Sequence, residues 1–185
     1  MLNIVKWTLV SLLGFSNTCL TDTINKASNE GSELVSGKVV KVMDGDTYEL
    51  LLENKTTVRV RMEGIDAPET GMPYCKKATE YLKGLTKGQT IKISLSNKDQ
   101  YGRVVSYSYL DDGRELSREM IKAGYAWHYK QYNKDAELAN LEIEARAAKR
   151  GLWQDNKPYE PWEIRRLRRS GKSTKDMFQI TDKNR

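Results

Sequence analysis

Histidine is almost missing from this chain. One is present, His128, which excludes mechanisms built on two histidines and leaves no imidazole set for a transition metal. Cysteine is nearly as scarce. Cys19 and Cys75 are the two in the sequence, too few for a disulfide framework or a zinc–thiolate site, and Cys75 reads as an ordinary helix residue. Also lacking is an apolar run long enough to stay in a bilayer. The stretch from Trp7 to Phe15 in MLNIVKWTLVSLLGF follows a single basic side chain, Lys6, and reads as the core of a secretory signal peptide. Small residues at Gly14 and Ser16 suit a cut after Ser16, with a cut after Thr18 as the alternative. Residues 1–18 are therefore expected to be removed and the protein to be secreted or periplasmic.

Bulk charge of one sign is lacking too, except at one end. The net charge of +6 is uneven: residues 31–156 hold 20 basic against 19 acidic side chains, residues 157–185 nine against four. A polyanionic partner is suggested by the tail alone, and the body must make its case through particular residues. With these absences the chemistry falls to carboxylates, arginines and an oxygen-binding metal.

With 185 residues, 38% of them hydrophobic and 30% charged, one domain with extensions at its ends is expected. TDTINKASNEGSE has no periodicity, so residues 19–33 read as a flexible linker. From Gly37 the pattern is that of strands: GKVVKVM, then DTYELLLE after the Asp44-Gly45 turn, then TTVRVRME, with Tyr48, Leu50, Leu52 and Val58, Val60, Met62 on their apolar faces. Arg59 and Arg61 therefore point away from the core face. Residues 73–84 look helical. QTIKISLS alternates Ile91, Ile93 and Leu95, and RVVSYSYL alternates Val105, Tyr107 and Tyr109. ELSREMIKAG reads as a short helix. DAELANLEIEARAAKRG reads as a longer one, with Leu138, Leu141, Ala145 and Ala148 on one stripe and Gly151 as its cap. These elements predict an α+β fold: a five-stranded OB-fold barrel with about three helices. The domain is placed at 34–163 and a basic, disordered tail at 164–185.

Asp46 opens the second strand and Asp66 lies just past the third. If those strands pair through the turn at Asn54 and Lys55, the two acids meet. Two hard carboxylates side by side seat Ca²⁺ or Mg²⁺; turn aspartates bonding local amides are an equally good reading of the spacing. Glu69 follows Asp66 by three residues, with Pro68 keeping Ala67 extended, where a carboxylate can orient or deprotonate water. Arg61 and Arg103 are two forks able to grip one phosphate. The aromatics of YAWHYKQY suit either stacking on bases or covering the barrel end, and His128 among them reads as a structural or surface residue rather than a catalyst.

DGDT at 44–47, RMEGIDAPE at 61–69 and YGR at 101–103 together resemble the signature segments of the thermonuclease family, the micrococcal or staphylococcal nuclease type. The resemblance runs from about Ser36 to Trp153. AGYAWHYKQY, EARAAKRGLW and PWEIRR look like the family's secreted or plasmid-borne Gram-negative branch. The resemblance implies that Asp46, Asp66 and the main-chain carbonyl of Ala67 hold Ca²⁺. It makes Arg61, Glu69 and Arg103 catalytic, and gives substrate contacts to Tyr101 and, by a looser match, to Tyr129 and Tyr132. It implies a monomer that cuts DNA and RNA, favouring single-stranded or unpaired regions, at the P–O5′ bond to leave 3′-phosphate ends. Ala67 stands where the family's best-known member has Thr, and Gln100 where it has Lys before the tyrosine. The rival reading is a non-catalytic nucleic-acid-binding OB-fold module, for which the full set of two aspartates, two arginines and a glutamate has no evident use.

Overall fold

A computed structural model describes residues 34–95 and 98–171. The expected signal peptide, the linker and the chain from residue 172 lie outside the described residues. In chain order the elements are β1 (Leu34–Val42), β2 (Thr47–Leu52), β3 (Thr57–Met62), β4 (Ile65–Asp66), α1 (Cys75–Thr86), β5 (Thr90–Ser94), β6 (Val104–Ser106), β7 (Ser108–Tyr109), α2 (Leu116–Lys122), β8 (Trp127–His128), α3 (Ala136–Ala147), a 3-10 turn (Gly151–Gln154) and α4 (Pro161–Arg169).

The first three strands form an antiparallel meander, and β1 also pairs with β5. One strand can serve two partners because β1 is long and carries a bulge between Val39 and Lys41 that bends it. Its contact with β2 is so close at Gly37 that a Cβ there would lie 2.4 Å from the Leu51 carbonyl oxygen. The strand read as RVVSYSYL splits at Tyr107. Its first half, β6, pairs parallel with β3, and its second half, β7, pairs antiparallel with β5. Those are the two edges of the sheet, whose order is β6-β3-β2-β1-β5-β7, so one short stretch of chain links them and nearly closes a barrel. The fold is α+β and OB-like. The expected fifth strand becomes two, and among the described residues four α-helices stand where about three were expected.

The apolar alternation places the core. Tyr48, Leu50, Val60, Ile91 and Ile93 are fully buried inside the barrel, with Leu82 of α1, Leu116, Met120 and Ile121 of α2 and Leu138 of α3 packed with them. In 104–110 the buried face is the opposite of the one predicted: Val104, Ser106, Ser108 and Leu110 point in, while Val105 and Tyr107 are half-buried and Tyr109 exposed. The reason is Tyr48. Its ring fills the barrel and its hydroxyl donates to Ser108 Oγ at 2.7 Å, so the strand facing it needs small side chains.

Two helices also differ from expectation. In α3, Ala148 is exposed and Glu142 is buried on the stripe, held by Lys130 at 2.7 Å and Arg146 at 3.2 Å. Residues 164–169, expected within a disordered tail, form most of α4. This helix has Pro161 in its first turn, where a missing N–H costs nothing. Ile164 is buried with Met72, next to Tyr159 and Leu167, and Trp162 stacks on Tyr129 with ring centroids 5.9 Å apart and planes 8° from parallel.

Candidate active site

Register brings the acidic residues together. Thr47 of β2 faces Arg61 of β3, and the Met62 N–H donates to the Asp46 carbonyl at 2.9 Å. The turn after β3 sends the chain into β4, where Asp66 pairs with Trp127 of β8. The Ala67 N–H then donates to Asp46 Oδ2 at 2.8 Å. That approach requires Gly45, because a Cβ there would lie 2.7 Å from the Ala67 Cβ and 2.8 Å from that of Ala78. The DGD spacing thus serves packing as well as charge.

Both aspartates are buried, Asp46 at 5% and Asp66 at 1% exposure. Arg61 bridges them, with Nη1 2.5 Å from Asp46 Oδ1 and Nη2 3.2 Å from Asp66 Oδ1, and donates to the Ile65 carbonyl at 3.1 Å. The sequence reading separated this arginine from the acids as a phosphate grip; in the structure its fork rests on both of them. Burial works against charge on Asp46, yet the charge of Arg61 and hydrogen bonds from Arg61, Ala67 and Thr47 hold its carboxyl below the usual range. At Asp66 burial wins, helped by the charge of Asp46, and pushes the carboxyl up. Asp44, read from the sequence only as a turn residue, is pushed up to about 7 by burial and then by Asp46.

Glu69 lies beside Asp66, and the link between them is a third arginine that sequence reasoning assigned to the tail. Arg165 of α4 donates through Nη1 to Asp66 Oδ1 at 3.0 Å and Glu69 Oε1 at 2.6 Å, and through Nη2 to Asp66 Oδ2 at 2.6 Å. The signal that could have found it is the spacing Pro161, Ile164, Leu167 after a helix-starting proline, which marks a docked amphipathic helix.

Arg103 lines the same cleft just ahead of β6, the strand beside β3, and pairs with a different aspartate. Its Nε and Nη2 hold Asp99 Oδ2 at 2.9 and 2.8 Å, while Asp99 Oδ1 accepts the N–H groups of Tyr101 and Arg103, each at 2.9 Å. Asp99 was also missed. The exposed Tyr101 ring lies under the Arg103 guanidinium at 5.3 Å. Tyr129 and Tyr132 form a pair with centroids 4.8 Å apart. Both line the cleft of about 860 Å³ that also contains Asp46, Arg61, Ala67, Glu69, Arg103 and Arg165. The two readings of YAWHYKQY divide by residue. Trp127 is core, packed with Trp153; Tyr129 and Tyr132 face the cleft. His128 is structural: it is buried and its Nε2 pairs with Asn133 Oδ1 at 3.1 Å.

The donor chemistry can be tested against a divalent cation. Among the described residues no group of three His, Cys, Asp or Glu side chains is arranged around one point. Asp46 and Asp66 nevertheless offer oxygen only, are buried, and are already neutralised by a shared cation, Arg61. Such a pair suits a hard ion completed by main-chain carbonyls and water, and does not suit zinc.

An OB-like barrel with paired aspartates, a nearby glutamate and several arginine forks lining one cleft defines a class of phosphodiester-handling proteins. Residues 59–155 match the staphylococcal nuclease homologue family. The chain is 42% identical over 128 residues to an uncharacterized endonuclease of Escherichia coli, covering 69% of this chain and 83% of that protein. It is 37% identical over 140 residues to a micrococcal nuclease of Shigella flexneri, covering 70% and 80%. A probable staphylococcal-like nuclease of Oryza sativa subsp. japonica is 43% identical over 113 residues, 61% of this chain and 34% of that protein. The chain belongs to the staphylococcal nuclease family.

Proposed function

We propose that the protein is a Ca²⁺-dependent endonuclease that hydrolyses DNA and RNA at the P–O5′ bond, leaving 3′-phosphate and 5′-hydroxyl ends. The observation that carries the reading is the convergence of Asp46, Asp66 and Glu69 on two arginines, Arg61 and Arg165, that line one cleft together with Arg103 and Tyr101. The endonuclease and nuclease names of the relatives support the same class of reaction. Asp46, Asp66 and the Ala67 carbonyl would hold the Ca²⁺, which supplies Lewis-acid stabilisation of the phosphoryl charge.

The chain's own residues do the rest. Arg61 and Arg103 donate to the non-bridging phosphate oxygens, and their forks stabilise the extra charge of the five-coordinate phosphorus. Glu69 orients water for in-line attack and accepts its proton as the P–O5′ bond breaks, and the departing 5′ oxygen takes a proton from solvent to become the 5′-hydroxyl. Tyr101, Tyr129 and Tyr132 offer ring faces on which unpaired bases stack, a contact worth about 1 to 3 kcal/mol per base. This favours single-stranded substrate. Export through the apolar segment at residues 7–15 belongs to the same proposal and is tested by amino-terminal sequencing of the mature protein.

The decisive experiment incubates the purified protein with single-stranded DNA and with RNA, in Ca²⁺ or in chelator. Ca²⁺-dependent cleavage leaving 3′-phosphates is expected, with Glu69→Gln slower by about 10² to 10⁴. A protein that binds both nucleic acids and cuts neither with any divalent cation is a binding module, and the enzyme reading falls.

A further inference from the structure

We propose that Arg165 is a third phosphate-binding residue of the cleft, delivered by α4 and competing with a divalent cation for Asp66. The assignment rests on the proposed Ca²⁺-dependent phosphodiester chemistry, and it concerns a helix beyond the segment that matches the family, which ends at residue 155.

Arg165 stands in the same relation to the carboxylates as Arg61. Both guanidiniums donate to Asp66 Oδ1, at 3.2 Å from Arg61 and 3.0 Å from Arg165, so two like charges share one acceptor at one edge of the cleft. Such an arrangement holds only while carboxylates balance it. Asp66 has about four acceptor sites, and arginines fill three of them. A divalent cation seated on Asp66 competes for those lone pairs and repels a guanidinium at this range.

Arg165 cannot then travel far. Its helix is pinned by buried Pro161 and Ile164, by the Trp162–Tyr129 stack and by Arg168 donating to the Thr70 carbonyl at 2.9 Å. The guanidinium also sits 5.9 Å from the Tyr129 ring, on the substrate side of the helix. Released from Asp66 but kept in the cleft, a planar fork meets one new partner that its geometry matches, the phosphate of a bound strand.

This gives Arg165 two effects of opposite sign. As a competing cation it weakens metal binding; as a phosphate ligand it strengthens nucleotide binding. The test compares wild type with Arg165→Ala in two titrations. Calorimetry with Ca²⁺ alone is expected to show affinity about threefold or more tighter in the variant, because a competing state has been removed. A nucleoside 3′-phosphate, the product with no P–O5′ bond left to cut, is expected to bind the Ca²⁺-saturated variant about tenfold or more weakly. Arg165→Lys keeps the charge but cannot span both Asp66 oxygens and Glu69, and should fall between on both titrations; it carries the test if the alanine variant does not fold.

Nucleotide affinity that is unchanged, or Ca²⁺ and nucleotide affinities that move together, would overturn the assignment and leave Arg165 a structural tie. Wild type that binds no Ca²⁺ would instead overturn the proposed function, whatever the variant does.

Discussion

Two arginines in this molecule each gather several carboxylates, and they differ in what else those carboxylates hold. Arg118 of α2 reaches Glu115 at 3.1 Å, Asp135 at 3.0 Å and Glu137 at 2.6 Å. Asp135 is at the same time the amino-terminal cap of α3, accepting the N–H groups of Glu137 and Leu138, so its place is set by the helix it begins. Arg165 gathers Asp66 and Glu69, and among the described residues the Asp66 carboxylate is bonded to guanidiniums alone, those of Arg61 and Arg165. The first cluster staples α2 to α3. The second is held by cations, and a carboxylate held only by cations can pass to another cation without any backbone partner being lost.

The sharpest way to break the comparison is to neutralise one acid in each cluster. Asp66→Asn should lower kcat/KM by about 10³, roughly 4 kcal/mol of transition-state stabilisation, while the thermal midpoint measured in chelator changes little because a buried charge is lost along with its ion pairs. Asp135→Asn keeps a capping side chain and should leave kcat/KM within about twofold. Equal loss of activity in the two variants would erase the distinction.

Each cluster also contains one carboxyl pushed up to about 7, chiefly by burial: Asp44 in the cleft and Glu115 at the staple. A folded-state value above the unfolded one means that the native chain keeps a proton the unfolded chain releases. Stability is therefore full below about pH 4 and falls as pH rises toward 7. Asp44→Asn and Glu115→Gln should each recover part of that loss, about 2 kcal/mol at pH 8 and nothing at pH 4, read from urea unfolding at the two pH values. Saturating Ca²⁺ should remove the effect of Asp44→Asn and leave that of Glu115→Gln. Failure of Ca²⁺ to separate them would mean that Asp44 does not sense the metal seat.

Removing Arg118 tests the staple directly. Its side chain is about one-third exposed, so the loss is below that of a fully buried pair: Arg118→Ala should cost about 1.5 kcal/mol at pH 8. The cost should shrink at pH 5, where Glu115 is protonated and needs no counter-ion. Cleavage by the folded fraction should be unaffected.

What the sequence could reveal follows the same division. Asp46, Arg61 and Asp66 were legible because strand alternation and one hairpin set their register, and Glu69 because Pro68 ties it to Asp66. Arg165 was not, since RRLRRSGK is charged enough to read as solvated chain, and the docking of Trp162 and Ile164 is what makes residues 165–169 part of a helix. The face of residues 104–110 was misread for a packing reason: the tyrosines looked apolar, but the barrel interior was already filled by Tyr48, whose hydroxyl required a serine opposite. Asp99 was missed because its role is local, and a turn aspartate before a Tyr-Gly pair has many uses.

Asp99 is the case that sits between the two clusters, and it makes the smallest but most informative prediction. It lines the cleft like Asp46, yet one of its oxygens accepts the N–H groups of Tyr101 and Arg103, as the cap Asp135 does in α3. On the rule drawn from the clusters its backbone commitments make it a support, and the working group is the arginine it holds. Asp99→Ala should therefore loosen the turn and leave Arg103 less well placed, lowering kcat/KM by about fivefold, roughly 1 kcal/mol, with the change mostly in kcat. Arg103→Ala should cost at least ten times more. If Asp99→Ala is as damaging as Asp66→Asn, then commitment to backbone donors does not separate supporting carboxylates from working ones. If it is silent, Arg103 finds the phosphate without help and the turn serves the fold alone.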